Sequence, residues 1–139
     1  MAQIVLPFLD ANVLFTAAYN PAGLAAALIA RQARLKIRFR TSGYAIEEAL
    51  HNLQIKSPAS LTQFRVLVAE IEIVKPQLRA GYNPLKLPES DLPIFQAALI
   101  SGSTHLLTGD QKDFGRWMNR PAQTFGLVIQ TIRDFADRL

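Results

Sequence analysis

The sequence contains no cysteine and only two histidines in 139 residues. Without cysteine the chain cannot form a disulfide, a thiolate nucleophile or a zinc–thiolate site. Its apolar runs are broken by polar or charged residues well before the roughly 20 residues needed to span a bilayer. The N-terminal stretch MAQIVLPFLD also lacks the basic start of a signal peptide. We therefore expect no membrane segment, and the plain expectation is a cytoplasmic location.

What the chain does contain is enough apolar material for one folded domain spanning residues 1–139. Half of its residues are hydrophobic, and a chain of this length can bury roughly two thirds of its unfolded surface. Basic residues outnumber acidic ones, which gives a formal net charge of +4 and a pI near 9.8. Residues 31–40 hold a basic cluster without an acid: Arg31, Arg34, Lys36, Arg38 and Arg40. This cluster suits a polyanionic partner, although a solvated basic surface explains it equally well.

Short apolar runs alternate with helix-forming stretches along the chain. Strands are predicted at residues 4–9, 36–42, 72–76, 105–109 and 126–131, and Pro7 predicts that the first strand starts late or bulges. Helices are predicted at residues 12–18, 23–35, 44–54, 57–71, 90–102 and 132–139, with a short one near 113–119. Residues 77–90, which contain Gly81, Pro84 and Pro88, are predicted to form a loop. This alternation predicts an α/β fold, a three-layer α/β/α sandwich with a central parallel sheet.

Acidic residues follow the predicted strands or begin the predicted helices. Asp10 follows the first strand, and Asp110 follows the strand HLLTG. Asp91 begins a helix, while Glu47 and Glu48 lie in the helix after the second strand. In an open parallel sheet, ligands gather outside the carboxyl ends of strands, where the strand order reverses. We therefore expect these acids to converge at one edge of the sheet.

Converging carboxylates repel one another unless they share protons or bind a cation. Two unit charges about 4 Å apart cost roughly 4 kcal/mol at an effective dielectric constant near 20. Because thiolates are absent and histidines are few, oxygen ligands predict Mg²⁺ or Mn²⁺ rather than a softer metal. The matching chemistry is phosphodiester hydrolysis, in which a divalent ion generates hydroxide from water and stabilises the charged transition state.

Each acid also has a purely structural explanation. Asp10 and Asp110 could cap helices, and Asp113 could cap the short helix near it. Asp91 could simply complement a helix dipole. A glutamate within residues 44–54 would more often lie on a solvated helix face. The prediction of a site therefore depends on the set of acids rather than on any one of them.

Three segments of the sequence together resemble the PIN-domain family: LDANVLFTA (9–17), EEALHNL (47–53) and DLPIFQAALISGSTHLLTGDQKDFG (91–115). The resemblance covers about residues 4–129. Its third segment is the most specific, because an acid, a helix, a strand, Thr-Gly-Asp and Asp-Phe occur in order. The resemblance implies a small nuclease with a central parallel sheet between helices, in which three or four acids hold Mg²⁺ or Mn²⁺ and RNA is cut.

The resemblance also implies a role for each matching residue. The family acids correspond by position to four residues that would be both catalytic and metal-binding: Asp10, Glu48, Asp91 and Asp110. Glu47 is the competing register for Glu48, and the choice stays open. Asp113 corresponds to a more variable extra metal ligand. Asn12 corresponds to a residue that supports the first acid, and Thr108 to a hydroxyl that steadies the metal-bound water or the acids.

The leading hypothesis from the sequence is a divalent-metal-dependent endoribonuclease. The resemblance includes VapC-type toxins, which imply an antitoxin partner and commonly a homodimer. Arg38, Arg40 and Arg116 are candidate RNA contacts. The alternative is a catalytically silent PIN-fold module that acts by binding a protein partner. A receiver-like phosphoacceptor domain is disfavoured, because such domains usually carry an adjacent acid pair where Asp10 stands between Leu9 and Ala11.

Overall fold

The structure is a computed structural model that describes residues 4–139, and its centre is a five-stranded parallel sheet. The strands are β1 (Pro7–Leu9), β2 (Arg40–Ser42), β3 (Glu72–Val74), β4 (His105–Leu107) and β5 (Val128–Gln130). Their order across the sheet is β3-β2-β1-β4-β5. The chain moves to one side of β1 first and to the other side later. The carboxyl ends of β1 and β4 therefore flank the position where open parallel sheets bind ligands.

Within residues 4–139, seven α-helices flank the sheet, which confirms the predicted α/β architecture. They are α1 (Ala11–Tyr19), α2 (Leu24–Ala30), α3 (Gly43–Lys56), α4 (Leu61–Val68), α5 (Leu92–Ile100), α6 (Gln111–Phe114) and α7 (Ile132–Asp137). Side-chain caps define several of their starts: the Ser42 hydroxyl accepts from the Ala45 N–H at α3, and the Thr131 hydroxyl accepts from the Asp134 N–H at α7. Such caps satisfy backbone donors that have no partner within the helix.

The core is built on the apolar strand runs that the sequence shows. β1 is buried along its whole length, as expected for a central parallel strand covered on both faces. Phe8, Phe39, Phe95 and Phe114 are among the largest fully buried side chains. β3 is an edge strand, and its Glu72 and Ile73 are exposed. The sheet is therefore rigid at its centre, where the acid-bearing ends of β1 and β4 emerge.

Each of the five predicted strands is present but shorter than expected, with regular pairing over three residues. Regular pairing of the first begins at Pro7, and residue Val5 forms only an isolated bridge to Ile37. The second strand was expected over residues 36–42, but only its last residues, β2, pair regularly. The alternation still holds before β2, because Ile37 is buried while Lys36 and Arg38 are exposed. Lys36 has a positive φ of 57°, which interrupts an extended strand at that point.

Two predicted helices are also shorter. The helix expected over residues 23–35 ends at Ala30, and the chain continues as turns. Gln32 explains this end, because its side chain accepts from the Phe39 N–H and donates to the Glu70 carbonyl. The helix expected over residues 57–71 divides into a 3-10 turn at Pro58–Ser60 and α4. The hydrogen bonds of Gln32 join segments that are far apart in the chain, so the periodicity of the sequence does not reveal them.

The loop over residues 77–90 is irregular, as expected, and it is anchored to α5 by Gln96. This side chain is 2% exposed. Its Oε1 accepts from the Arg79 N–H at 2.7 Å, and its Nε2 donates to the carbonyls of Arg79 at 2.9 Å and Tyr82 at 2.7 Å. Because the loop leads directly to Asp91, these bonds help to place that acid at the edge of the sheet.

No single helix within residues 4–139 is long and apolar enough to cross a membrane. Only α1 and α2 taken together reach the required length and apolarity, and they meet at an angle of 93°.

Candidate metal centre

A polar network around Asp10 joins the carboxyl ends of β1 and β4. Asp10 is 4% exposed, and its Oδ1 accepts from the Ala11 N–H, so this residue does cap α1. Its Oδ2 accepts from the Thr108 hydroxyl at 2.7 Å and from Asn12 Nδ2 at 3.3 Å. The Thr108 oxygen also accepts from Asn12 Nδ2 at 3.2 Å and from the Asp110 N–H at 3.0 Å. Asn12 and Thr108, the two expected supporting residues, thus both hydrogen-bond to Asp10.

Three further carboxylates converge beside this network. Asp91, Asp110 and Asp113 each present an oxygen, and the three oxygens all lie within 4.8 Å of one another. We call these residues the acid triad; each is half-buried. Asp110 Oδ1 accepts from the Asp113 N–H at 3.0 Å, so Asp110 also caps α6. The helix-cap explanation is therefore correct for Asp10 and Asp110, but it does not exclude a second role for either.

Asp91 behaves differently from a capping residue. It occupies the cap position of α5, yet its side chain makes no cap hydrogen bond. Its Oδ2 is buried without a hydrogen-bond partner among the described residues. A buried carboxylate oxygen without a donor is costly. A cation bound at the acid triad would satisfy this oxygen.

Burial and the neighbouring acids strongly raise the pKa of Asp91. Burial, a hydrogen bond with Asp113 and the negative charges of Asp113, Asp110 and Asp10 together raise the pKa of Asp91 to about 7. Two carboxyl groups can hydrogen-bond to each other only when one of them carries a proton. At neutral pH without a cation, Asp91 therefore carries a proton for part of the time.

Asp10 and Glu48 lie outside the acid triad but share its electrostatic field. Burial raises the pKa of Asp10, the hydrogen bonds from Thr108, Ala11 and Asn12 oppose this shift, and the charge of Asp110 adds to it. Partial burial and, next, the charge of Asp10 raise the pKa of Glu48, although its side chain is exposed.

This coupling bears on the choice of helix acid. Glu48 feels the charge of Asp10. Glu47 is also exposed, but it lies one position earlier on the same helix. With 3.6 residues per turn, its side chain points about 100° away from that of Glu48. The coupling to Asp10 therefore favours Glu48 over Glu47, although Glu48 is not part of the acid triad.

The raised pKa of Asp91 predicts that the stability of the fold depends on pH. The pKa of Asp91 is about 7 in the folded chain against an ordinary value of 3.8. The folded state therefore binds this proton more tightly, and the resulting stabilisation is complete below the ordinary value and lost as the pH rises through about 7. With a chelator present, we expect the thermal midpoint to fall as the pH rises from about 5 to about 8. Thermal unfolding followed across this range measures the effect.

Asp91→Asn provides the control, because asparagine does not titrate at that position. The variant should show a much flatter profile and should exceed the wild type in stability at the alkaline end. A fall of equal steepness in the wild type and the variant would show that the coupled proton lies elsewhere.

Tyr44 is a residue at the rim of the acids that sequence reasoning missed. Its hydroxyl donates to the Ser90 carbonyl at 2.8 Å, next to Asp91. Burial and the charges of Glu48, Asp91, Asp10 and Glu89 raise the pKa of Tyr44. The available signal was its position four residues before Glu48, which places the two side chains on one helix face.

The three candidate RNA-binding arginines do not lie together. Arg38 and Arg40 lie at the amino end of β2, whereas the acids lie at the carboxyl ends of the strands. Arg40 is already engaged, because its Nε pairs with Glu72 at 2.7 Å and another of its nitrogens donates to the Ser101 carbonyl at 2.8 Å. Arg116 is exposed in the turn that follows α6, with its guanidinium 4.7 Å from the centre of the Trp117 ring.

The donor atoms of the acid triad suit a hard divalent cation. All three ligands are carboxylate oxygens, the donor type that Mg²⁺ and Mn²⁺ prefer. Oxygen ligands about 2.1 Å from one Mg²⁺ lie at most about 4.2 Å apart. The three oxygens lie within 4.8 Å of one another, so small side-chain rotations would suffice to bring them to that value. The residues present therefore fit such an ion, and the Asp91 oxygen without a partner gives it a place to bind.

Known proteins resemble this chain in fold rather than in sequence. No family model and no curated protein matches the sequence. A chain in the crystal structure of VapBC2 from Rickettsia felis, bound to a DNA fragment from its promoter, superposes with a TM-score of 0.67 at 14% identity, over 91% of this chain and 98% of that one. A chain of VapBC-1 from nontypeable Haemophilus influenzae superposes with a TM-score of 0.61 at 16% identity, over 93% and 99%. These matches confirm the resemblance to PIN domains at the level of the fold.

Proposed function

We propose that this chain is a divalent-metal-dependent endoribonuclease that hydrolyses phosphodiester bonds in RNA. The observation that supports this most is the acid triad, whose oxygens lie within 4.8 Å of one another and include a buried atom without a partner. The triad lies at the ligand-binding edge of a parallel sheet. The likeness of the fold to VapBC structures adds support from an independent direction.

In this proposal Asp91, Asp110 and Asp113 would hold Mg²⁺ or Mn²⁺, and Asp10 and Glu48 would add negative charge around it. When bound, such an ion neutralises charge on the phosphate and lowers the pKa of water. Asp91 must release its proton before it can act as a ligand. Since its pKa is about 7, that release requires little free energy at neutral pH.

Thr108 and Asn12 would orient the acids without touching the RNA. Thr108 donates to Asp10 and accepts from the Asp110 N–H, so it fixes the distance between the ends of β1 and β4. Asn12 donates to Asp10, and its Oδ1 accepts from the Gly109 N–H at 2.8 Å. Such supporting bonds hold ligating carboxylates in one orientation, and their loss typically lowers metal affinity or activity about 10- to 100-fold.

The RNA backbone would meet Arg116 first among the three candidate arginines. Arg116 follows α6, the helix that contains Asp113, and its side chain is exposed. Arg38 and Arg40 would contribute mainly through long-range attraction, since they lie at the amino end of β2 and Arg40 is paired with Glu72. Each phosphate contact makes binding weaken as salt is added.

We extend the proposal to a toxin–antitoxin module with a protein antitoxin and a homodimeric toxin. The two structural matches are VapBC structures, and one of them includes promoter DNA. Ile55 on α3 and Val66 on α4 are exposed apolar side chains, 66% and 54% accessible. Such side chains are available for a protein interface, although scattered apolar residues also occur on monomers. A module that only binds a partner would need the same surface but would not cut RNA.

The direct test is cleavage of an end-labelled single-stranded RNA by the purified chain, with Mg²⁺ or with a chelator. We expect cleavage only with the metal ion, and products without a 2′,3′-cyclic phosphate, because water rather than the neighbouring 2′-hydroxyl attacks. A substrate with 2′-deoxy sugars at the cut site should therefore still be cleaved. Cleavage that persists in chelator and leaves cyclic ends would indicate a contaminating nuclease, and the absence of cleavage would refute the proposal.

A further inference from the structure

A pocket adjoins the acids on the far side of Asn12. Its volume is about 370 Å³, and it lies between α1, α2, the start of α7 and the turn after β4. Asn12 and Gly109 line it, and the same Asn12 side chain donates to Asp10 and to Thr108. The pocket and the acids therefore share one wall. Its volume is within the range of pockets that bind small organic groups.

The lining of this pocket combines apolar walls with a few free polar groups. Val13, Ala25 and Ile132 supply apolar surface. Thr16 and Arg133 also line it, and neither side chain has a hydrogen-bond or ion-pair partner in the part of the chain that the structure describes. Apolar walls with a small number of available polar groups are typical of ligand-binding pockets.

We propose that this pocket binds one nucleotide of the RNA next to the phosphate that is cut, with its base between Val13 and Ile132 and its phosphate on Arg133. This inference rests on the proposed function. Asn12 lines the pocket and hydrogen-bonds to Asp10 and Thr108, and Thr108 accepts from the Asp110 N–H. A strand whose phosphate lies at the acid triad would therefore place a neighbouring base on the pocket side of Asn12. Arg133 has no ion-pair partner among residues 4–139, and its positive charge is complementary to that of a phosphate. Single-stranded RNA presents unstacked bases that such a pocket can accept.

The chemistry of the pocket also suggests what it selects. The Thr16 hydroxyl can donate and accept a hydrogen bond, so it can contact the edge of a base. A single hydroxyl can pair with a donor or an acceptor on a base edge, so discrimination comes mainly from whether the base fits between Val13 and Ile132. We therefore expect a sequence preference at one position beside the cut, set by this pocket rather than by the acids.

Two variants leave the acids untouched and alter only the pocket. Arg133→Gln removes the charge from an exposed position on α7, and Thr16→Phe fills the pocket from an exposed position on α1. Arg138→Gln is the matched control, because it removes an exposed charge at the end of the same helix, outside the pocket. All three should retain the thermal midpoint of the wild type.

The decisive experiment titrates the four nucleoside 3′-monophosphates, one at a time, into metal-free protein and follows the methyl resonances of Val13 and Ile132 by NMR. Without a metal ion the acids repel phosphate, so binding reports the pocket. We expect at least one nucleotide to shift these resonances in a saturable way, with affinity reduced about tenfold in Arg133→Gln, abolished in Thr16→Phe and unchanged in Arg138→Gln. No shift with any nucleotide, or equal affinity in Arg133→Gln and the wild type, would overturn the inference.

A parallel cleavage experiment separates the two proposals. Sequencing the ends cut from a randomised RNA pool should show a base preference beside the cut for the wild type and its loss in Thr16→Phe. If the wild type cuts RNA but its preference is unchanged in that variant, the pocket assignment fails and the nuclease assignment stands. If the wild type cuts no RNA while nucleotides still bind as described, the nuclease assignment fails and the pocket remains.

Discussion

Replacing Asp110 with asparagine is expected to reduce RNA cleavage at least about a hundredfold, while the thermal midpoint holds or rises. Asparagine keeps an oxygen that can accept from the Asp113 N–H, so the cap of α6 should survive. The substitution removes one negative charge from a position within 4.8 Å of two others. Less repulsion in the folded state offsets any loss of hydrogen-bond strength. Single-turnover cleavage and thermal unfolding measure the two halves of this expectation.

Asp137→Asn is the matched control for this result. It makes the same chemical change at the exposed end of α7, so cleavage and midpoint should both match the wild type. Cleavage by Asp110→Asn at the wild-type rate would end the assignment of Asp110 to the site. A large loss of stability in that variant would instead show that the residue acts mainly as a structural cap.

Thr108→Val should both destabilise the chain and weaken its activity. Thr108 is fully buried, and its hydroxyl makes three hydrogen bonds, to Asp10, Asn12 and the Asp110 N–H. Valine has nearly the same shape but leaves those partners without it. Leaving buried polar groups without partners costs about 1–3 kcal/mol. Cleavage should fall at least about tenfold, because the acids lose the contact that orients them.

Thr108→Ser distinguishes positioning from packing. Serine restores the hydroxyl but lacks the methyl group, so cleavage should return close to the wild-type rate even though some packing is lost. The Mg²⁺ concentration for half-maximal cleavage should rise in Thr108→Val and not in Thr108→Ser. A purely structural role for Thr108 would lower stability in both variants without moving that concentration.

The sheet and its acid-bearing edge could be predicted from the sequence because both depend on local patterns. Apolar runs such as HLLTG mark buried strands, and the alternation with helices gives parallel pairing. Acids directly after β1 and β4 must then emerge at the same edge. Pro7 even indicated where β1 starts, since proline has no N–H to donate within a central strand.

The rest depends on contacts between distant segments. Gln32 ends the second helix early by bonding to Phe39 and Glu70, and no periodicity contains that information. Which acids fall within ligand distance is a matter of a few ångströms. The resemblance implied that Asp113 is a variable extra ligand, whereas in the structure it belongs to the acid triad. Asp10 and Glu48 are not members of that triad.

Neither the ion pair of Arg40 nor the pocket beside Asn12 could be predicted from the sequence, because both depend on contacts between distant segments. The pairing of Arg40 with Glu72 depends on β2 and β3 lying side by side. The pocket depends on where α2 and α7 meet α1. Both arise from packing between elements that are far apart in the chain.

Calorimetric titration of Mg²⁺ or Mn²⁺ into the metal-free chain, repeated with Asp91→Asn and Asp110→Asn, tests most directly whether the separate acids form one cation site. The wild type should bind the ion saturably and gain thermal stability with its concentration, by about 2.7 kcal/mol when the free ion exceeds its dissociation constant a hundredfold. Each variant should bind at least about tenfold more weakly, and Asp137→Asn should bind like the wild type. No saturable binding by the wild type, or equal binding by all four proteins, would contradict the account.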